Sequence, residues 1–266
     1  FCFVLKGYAG TGKTFLLGVI NAYFKTIKRD LVFAAPTGRA AKVINNSIKA
    51  PAYTIHKTIY SKNNFKEFKI KNLDGSETFK YSFQLKNNED QANTVYLIDE
   101  ASMISDVYNE MEFFRFGSGH LLRDLFNYDN MDNNDHRKKI ILVGDDAQLP
   151  PVGMNFSPAL DSDYLLNSIG YSCSISQLRE VVRQKADSKI LLNAKKLRVA
   201  LEKKAFCDLS IQHNDSDCIK LEHGSILKRY LHACDNKIND KCVIVAHSNS
   251  QVLDYNKMVR SVFFPN

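Results

Sequence analysis

Five short apolar runs punctuate the chain: FCFVL (1–5), LVFAA (31–35), TVYLID (94–99), IILVGD (140–145) and VIVAH (243–247). Within each run the apolar residues are continuous and do not alternate with polar ones. Strands of that kind are buried on both faces. The stretches between them carry apolar residues at helical spacing. Leu16, Leu17, Ile20, Phe24 and Ile27 share one face, as do Ile190, Leu191, Ala194, Leu197 and Leu201. Val252, Leu253, Asn256 and Val259 form a third such stripe. Strand and helix alternating in this way predict an α/β fold: a parallel sheet covered by helices on both faces.

Residues 65–86 break this rhythm. Phe79, Tyr81, Phe83 and Leu85 alternate with Lys80, Ser82 and Gln84, and Asp74-Gly75 supplies a turn. The pattern predicts an antiparallel hairpin inserted between parallel strands. Lys66, Lys69, Lys71, Lys80 and Lys86 are expected on its exposed face. There they either meet a polyanion or keep an edge strand soluble. The polar segment 128–139 is expected to be a flexible loop, and no internal repeat is present.

Composition narrows the picture only slightly. At 266 residues, 44% hydrophobic and 24% charged, the chain reads as an ordinary soluble globular protein. Its net charge of +7 weakly favours an anionic partner. The six cysteines, at 2, 173, 207, 218, 234 and 242, have the spacing of neither a zinc site nor a disulfide framework. Reduced thiols in a cytoplasmic protein are expected. No stretch approaches the roughly 20 apolar residues of a membrane span, so no membrane partner is expected. FCFVL is too short for a signal-peptide core and lacks a basic flank. Residue 1 is not Met and already lies in an expected buried strand. The chain is therefore expected to be cut at its N-terminus.

The first strand runs directly into GYAGTGKT (7–14). Strand, glycine loop and helix in that order suit a phosphate loop. The backbone of Gly7, Ala9, Gly10, Thr11 and Gly12 would wrap the phosphates, with the positive end of the helix beneath. Lys13 would reach the β- and γ-phosphates, and the Thr14 hydroxyl would ligate Mg²⁺. A metal held there needs a second acidic site. Asp99 ends a buried strand and would hold Mg²⁺ through water, while Glu100 would orient and deprotonate the attacking water. The bland alternative is that the two acids simply begin a helix. Gln148, in LVGDDAQLPPVG (142–153), could touch the γ-phosphate or the lytic water. Arg183, in QLREVVRQ (177–184), would suit the cation that stabilises a transferring phosphoryl group, or is a solvated surface arginine.

Taken together and in order, these segments resemble superfamily 1B DNA helicases of the RecD/Dda type. GYAGTGKT resembles motif I, APTGRAAKV (35–43) motif Ia, and TIHK (54–57) the short motif after it. LIDEASMIS (97–105) resembles motif II, LVGDDAQLPPVG motif III and LREVVRQ motif IV. IVAHSNSQVLDYNKMVR (244–260), FGSGHLLRDLF and SPAL are similar to further segments of bacterial relatives. The resemblance covers nearly the whole chain. It implies a RecA-like first motor domain over 1–60 and 94–178, a pin subdomain over 61–93, and the incomplete start of a second motor domain over 179–266. It implies ATP and Mg²⁺ as ligands. The implied activity is ATP hydrolysis coupled to 5′–3′ movement on single-stranded DNA and opening of single-strand/duplex junctions. Arg183 becomes the finger and Gln148 the γ-phosphate sensor. Thr37, Arg39, Thr54 and His56 become DNA contacts, with a buried structural role as the alternative for His56. An adenine-contacting glutamine motif would precede residue 1 and motifs V and VI would follow residue 266, so the chain is expected to be only partly active alone. Two other classes stay open: a phosphate-loop ATPase without a nucleic-acid role, and a non-catalytic DNA-binding relic.

Overall fold

The computed structural model describes residues 1–71, 77–129, 138–180, 188–206, 210–214, 216–222, 224–239 and 242–264. The chain divides into two compact units, Phe1–Gln184 and Lys185–Asn266. The first unit is built on a six-stranded parallel sheet. Its strands are β1 (Cys2–Gly7), β2 (Leu31–Ala35), β3 (Ala52–Thr54), β6 (Val95–Ile98), β8 (Lys139–Gly144) and β9 (Cys173–Leu178). Their order is β3-β2-β6-β8-β1-β9. Four of the five apolar runs are therefore strands, and all four lie inside the sheet.

Each run is apolar throughout because the sheet has a hydrophobic layer on each face. Cys2 and Val4 of β1, Tyr96 and Ile98 of β6, and Ile140 and Leu142 of β8 enter one cluster. Leu5, Leu97 and Val143, the alternate positions, enter the other. Helices α1 (Lys13–Thr26) and α2 (Gly38–Ile48) close the second layer through Leu17, Ala41 and Ile44. Helices α3 (Ile55–Ile59) and α4 (Leu121–Asp129) close the first through Ile55, Ile59, Leu122, Leu125 and Phe126.

The inserted segment forms a separate three-stranded sheet, ordered β4 (Tyr60–Lys71), β5 (Glu77–Leu85) and β7 (Phe114–Phe116). β4 and β5 are antiparallel, with Phe65 opposite Phe83. The Asp74-Gly75 turn and most of the 128–139 loop lie outside the described residues. Lys66, Lys69 and Lys86 are exposed as expected, and Lys80 is half-buried. Ser82 is the buried position of β5, whereas Phe79 is 43% exposed. Lys80 pairs with Glu110 at 3.0 Å, Lys69 pairs with Glu77 at 3.1 Å, and the Lys86 ammonium donates to the carbonyls of Lys57 and Thr58. Three of the five lysines thus have partners within the protein, from β5 (Glu77), from the loop before β7 (Glu110) and from the carbonyls of α3. The side chain of Lys71 lies outside the described residues.

Two further expectations are corrected. VIVAH is not a strand among the described residues: Val243 and Val245 are 70% and 86% exposed. Among its described residues, the second unit contains helices α6 (Lys189–Lys203), α7 (Ile226–Ala233) and α8 (Asn249–Phe263) and no strand to pair with. An apolar run needs a ladder partner to become a strand. Nor are all cysteines reduced, since Cys2 and Cys173 form a disulfide. They are 171 residues apart in sequence, and only the pairing of β1 with β9 makes them neighbours. Among the described residues no helix is long and apolar enough to cross a membrane.

One buried contact ties the inserted sheet to the helical layer. The Tyr60 hydroxyl, at the start of β4, donates to Asp124 Oδ2 of α4 at 2.6 Å. The same carboxylate accepts the Ser118 amide at 3.0 Å. Burial and this bond push the Tyr60 hydroxyl far above its ordinary range. Tyr60→Phe leaves a buried carboxylate short of a donor, and is expected to cost about 1.5–3 kcal/mol in chemical denaturation.

Candidate functional site

In a parallel sheet every strand ends at the same edge, and ligands gather there. β6, β8 and β1 are neighbours, so the segments that follow them meet. After β1, the loop turns through Gly10 and Gly12, whose φ angles of 80° and 84° favour glycine. Gly12 caps α1 with no side-chain hydrogen bond, and the first turn of α1 holds no acid. The helices α2, α3, α6 and α8 are instead capped by the hydroxyls of Thr37, Thr54, Ser188 and Ser248. The start of α1 thus keeps its positive end for an anion, as the phosphate-loop reading requires.

Lys13 opens α1. Its ammonium donates to the carbonyls of Gly7 at 2.7 Å and Tyr8 at 3.1 Å. The Tyr8 carbonyl also receives the amide and hydroxyl of Thr11, at 3.2 and 2.8 Å. Gly7 is needed for this close fit. A Cβ there would stand 2.9 Å from both Lys13 Cγ and Thr11 Oγ1. Ala9 is exposed at the loop tip, and Thr14 is half-buried in the first turn of α1.

Asp99 and Glu100 follow β6. Asp99 is 7% exposed, and its Oδ1 accepts the Glu100 amide at 2.9 Å. Burial raises its proton affinity, opposed by that bond and by the charge of Lys13. Burial also raises that of Glu100, reinforced by the charges of Asp99 and Asp145 and opposed by Lys13. Lys13, Asp99 and Glu100 are therefore close enough to feel one another across the strand ends. Glu100 sits at φ 54°, in the left-handed region, and its Oε2 is buried without a hydrogen-bond partner. Strained non-glycine backbone and orphaned carboxylate oxygens of this kind cluster at functional sites. The donor set, a hydroxyl and carboxylates, suits a hard divalent cation.

Asp145, which follows β8, was not among the residues singled out from sequence. It is 2% exposed, and its Oδ1 accepts the Ala147 amide at 3.1 Å. It ends an apolar strand as Asp99 does, and that parallel was the available signal. Its carbonyl accepts the amide of Gln148 at 3.1 Å, which sets the turn carrying that exposed side chain. Arg183 lies outside the described residues.

A second group occupies the same edge, after β2 and β3. A cavity of about 500 Å³ is lined by Thr37 and His56 together with Tyr108, Phe114, Phe116 and Val152. Arg39 and Thr54 are not in its lining; Arg39 is exposed, and the Thr54 hydroxyl caps α3 by accepting the Lys57 amide at 3.2 Å. His56 is partly buried, its ring 5.0 Å from Phe116 and 5.5 Å from Tyr60. Burial lowers its proton affinity, against the pull of Asp124. Its ring is thus kept uncharged near neutral pH and offers a π-face and hydrogen bonds rather than a cation.

Residues 1–154 match the family described as an AAA domain. The chain belongs to the AAA domain family. The match spans the phosphate loop, Asp99, Glu100 and Gln148. Among curated proteins, this chain is 32% identical over 161 residues to uncharacterized protein R530 of Acanthamoeba polyphaga mimivirus, covering 57% of this chain and 29% of that protein. It is 31% identical over 205 residues to uncharacterized protein MJ1519 of Methanocaldococcus jannaschii, covering 75% of this chain and 15% of that protein. The chain therefore spans less than a third of the curated relatives it matches. Among solved structures it is similar to the Pif1 helicase from Candida albicans, with a TM-score of 0.46 and 18% identity over 95% of this chain and 57% of that one.

The crowding at Gly7 yields a direct test. Gly7→Ala displaces Lys13 or Thr11, and is expected to weaken binding of Mg²⁺–ADP by about tenfold, roughly 1.4 kcal/mol, in a fluorescence titration. The fold should survive, as judged by an unchanged circular dichroism spectrum.

Proposed function

We propose that this AAA domain is part of an ATP-driven DNA helicase of the superfamily 1B, RecD/Dda-like type. The observation that carries the reading is the juxtaposition along one sheet edge. Lys13, Asp99 and Glu100 gather at the ends of β1 and β6, and the aromatic cavity with Thr37 and His56 opens at the ends of β2 and β3. The ordered motifs of the sequence support the same assignment.

In this reading Lys13 gives up its carbonyl contacts to neutralise the β- and γ-phosphates of ATP, and the amides of the loop and of α1 bind the rest. Thr14 and Asp99 would hold Mg²⁺, which supplies charge neutralisation at the phosphates when bound. Glu100, with its raised proton affinity, accepts a proton from the attacking water. Gln148 senses the γ-phosphate from the turn after β8, and Arg183 stabilises the charge that develops on it. Thr37, Arg39, Thr54 and His56 contact the phosphates and sugars of single-stranded DNA without reading its bases. The β4–β5 hairpin within 61–93 serves as the pin that splits a single-strand/duplex junction. Residues 179–266 begin a second motor domain, and movement runs 5′ to 3′.

ATP hydrolysis by the full-length protein should rise several-fold on adding single-stranded DNA. Lys13→Ala should lower it by at least about 100-fold. Glu100→Gln should lower turnover by roughly 100- to 10,000-fold while leaving nucleotide affinity near wild type. Hydrolysis indifferent to DNA and RNA, yet lost with Lys13→Ala, would leave a phosphate-loop ATPase with no nucleic-acid role.

A further inference from the structure

Cys2 and Cys173 are register partners of β1 and β9, with Cα atoms 4.5 Å apart and their sulfurs bonded. β9 is an edge strand whose one neighbour in the sheet is β1. Three of its six residues, Ser174, Ile175 and Ser176, are exposed, and only Cys173 and Leu178 at its two ends pack against the core layers. Between those ends it is held by the ladder to β1, with the covalent link at its first residue. The two strands then run in step from the disulfide to Gly7 and Leu178.

The far end of that ladder enters the phosphate loop. The amide of Tyr8 donates to the carbonyl of Leu178 at 3.3 Å. The carbonyl of Tyr8 in turn receives Thr11 and the Lys13 ammonium. A covalent link at one end of β9 and the seat of Lys13 at the other are therefore joined by one continuous hydrogen-bonded ladder. Edge strands with few buried contacts are among the first elements to open locally.

We infer that the Cys2–Cys173 pair is a site of reversible thiol–disulfide exchange whose state sets how firmly the phosphate loop grips a nucleotide. The inference rests on the nucleotide-binding reading of Gly7–Thr14. Cys2 is 1% exposed and Cys173 is half-buried at the sheet edge, so attack falls on Cys173, the less buried of the two. The thiolate of a small dithiol attacks the Cys173 sulfur. The bond between the two protein sulfurs breaks, and Cys2 leaves as a thiolate that takes up a proton. The second thiol of the reductant, as its thiolate, then displaces Cys173, which is protonated in turn as the reductant closes its own disulfide. Two electrons pass from the dithiol to the protein, and a small-molecule disulfide reverses the step. Reduction frees the start of β9, the ladder frays toward Leu178, and the loop loses the bond that positions Tyr8.

The test compares oxidised protein with protein treated with dithiothreitol, using a fluorescent ADP analogue with Mg²⁺ and hydrogen exchange over residues 173–178. Reduction is expected to weaken nucleotide binding about five- to tenfold, at the low end of coupling between sites, and to speed exchange in β9. Cys173→Ser should hold the reduced-state affinity in both conditions, and Cys218→Ser or Cys242→Ser should leave the response intact. Equal affinities and equal exchange rates in the two states would overturn the proposal. So would the appearance of Cys2 and Cys173 as free thiols in oxidised protein. Absence of nucleotide binding in every form, with β9 exchange still responding to reduction, would instead sink the nucleotide reading and take the proposed coupling with it.

Discussion

Mutual repulsion among carboxylates at one edge of a parallel sheet is the constraint around which the first unit is arranged. Asp99 and Glu100 are adjacent, Asp145 follows the next strand, and the charges of Asp99 and Asp145 both act on Glu100. Such groups repel, and each loses hydration in its half-buried or buried position. The counterweight that acts on both Asp99 and Glu100 is the ammonium of Lys13, supplied from the opposite side of β8 by the loop after β1. The arrangement is locally unfavourable, and it persists because the strands that deliver these residues are buried on both faces and cannot give way. Burial raises the proton affinity of Asp99 and Glu100, and the charges of Asp99 and Asp145 add to that of Glu100. A cation and a phosphate placed among them would relieve the same imbalance.

A second coupling runs through aromatic rings. Phe65 packs against Phe83, Phe83 stacks on Phe116 at 5.2 Å, and Phe116 meets both His56 and Tyr60. This ladder connects the inserted sheet to the short helix α3 and the cavity beside it. Tyr60 belongs to both systems, since its ring ends the ladder and its hydroxyl is fixed by Asp124. The hairpin and His56 are thus joined by a continuous series of ring contacts. Rings in contact transmit position well because packed side chains move between discrete arrangements.

Much of the fold was legible because each part of it announces itself locally. FCFVL, LVFAA, TVYLID and IILVGD are apolar without interruption, and only a doubly covered sheet explains that. GYAGTGKT between strand and helix needs no long-range information. What sequence could not supply was pairing. VIVAH has the same apolar composition as the true strands, but its valines find no ladder among the described residues. Cys2 and Cys173 have no spacing signal because their adjacency is created by the sheet. Alternation along β5 suggested a lysine face open to solvent, yet the fully buried position of β5 is Ser82, between the half-buried Tyr81 and Phe83. Among the candidate DNA contacts, Thr37 and His56 share a cavity that Arg39 and Thr54 do not line. Residues adjacent in a motif diverge once a helix begins between them.

The position of β1 in the sheet also fixes the order in which the molecule can assemble. β1 lies between β8 and β9, so the neighbours of Cys2 are Ile140 and Cys173 rather than anything close in sequence. Pairings over such separations are slow to form, because loop closure must precede the contacts that reward it. β2 and β6 can pair early, while β1 waits with both edges open until β8 is made and with one edge open until β9 follows. The Gly7–Thr14 loop is attached to that waiting strand, so its shape is settled only after β9, whose Cys173 stands 171 residues beyond Cys2, has joined the sheet.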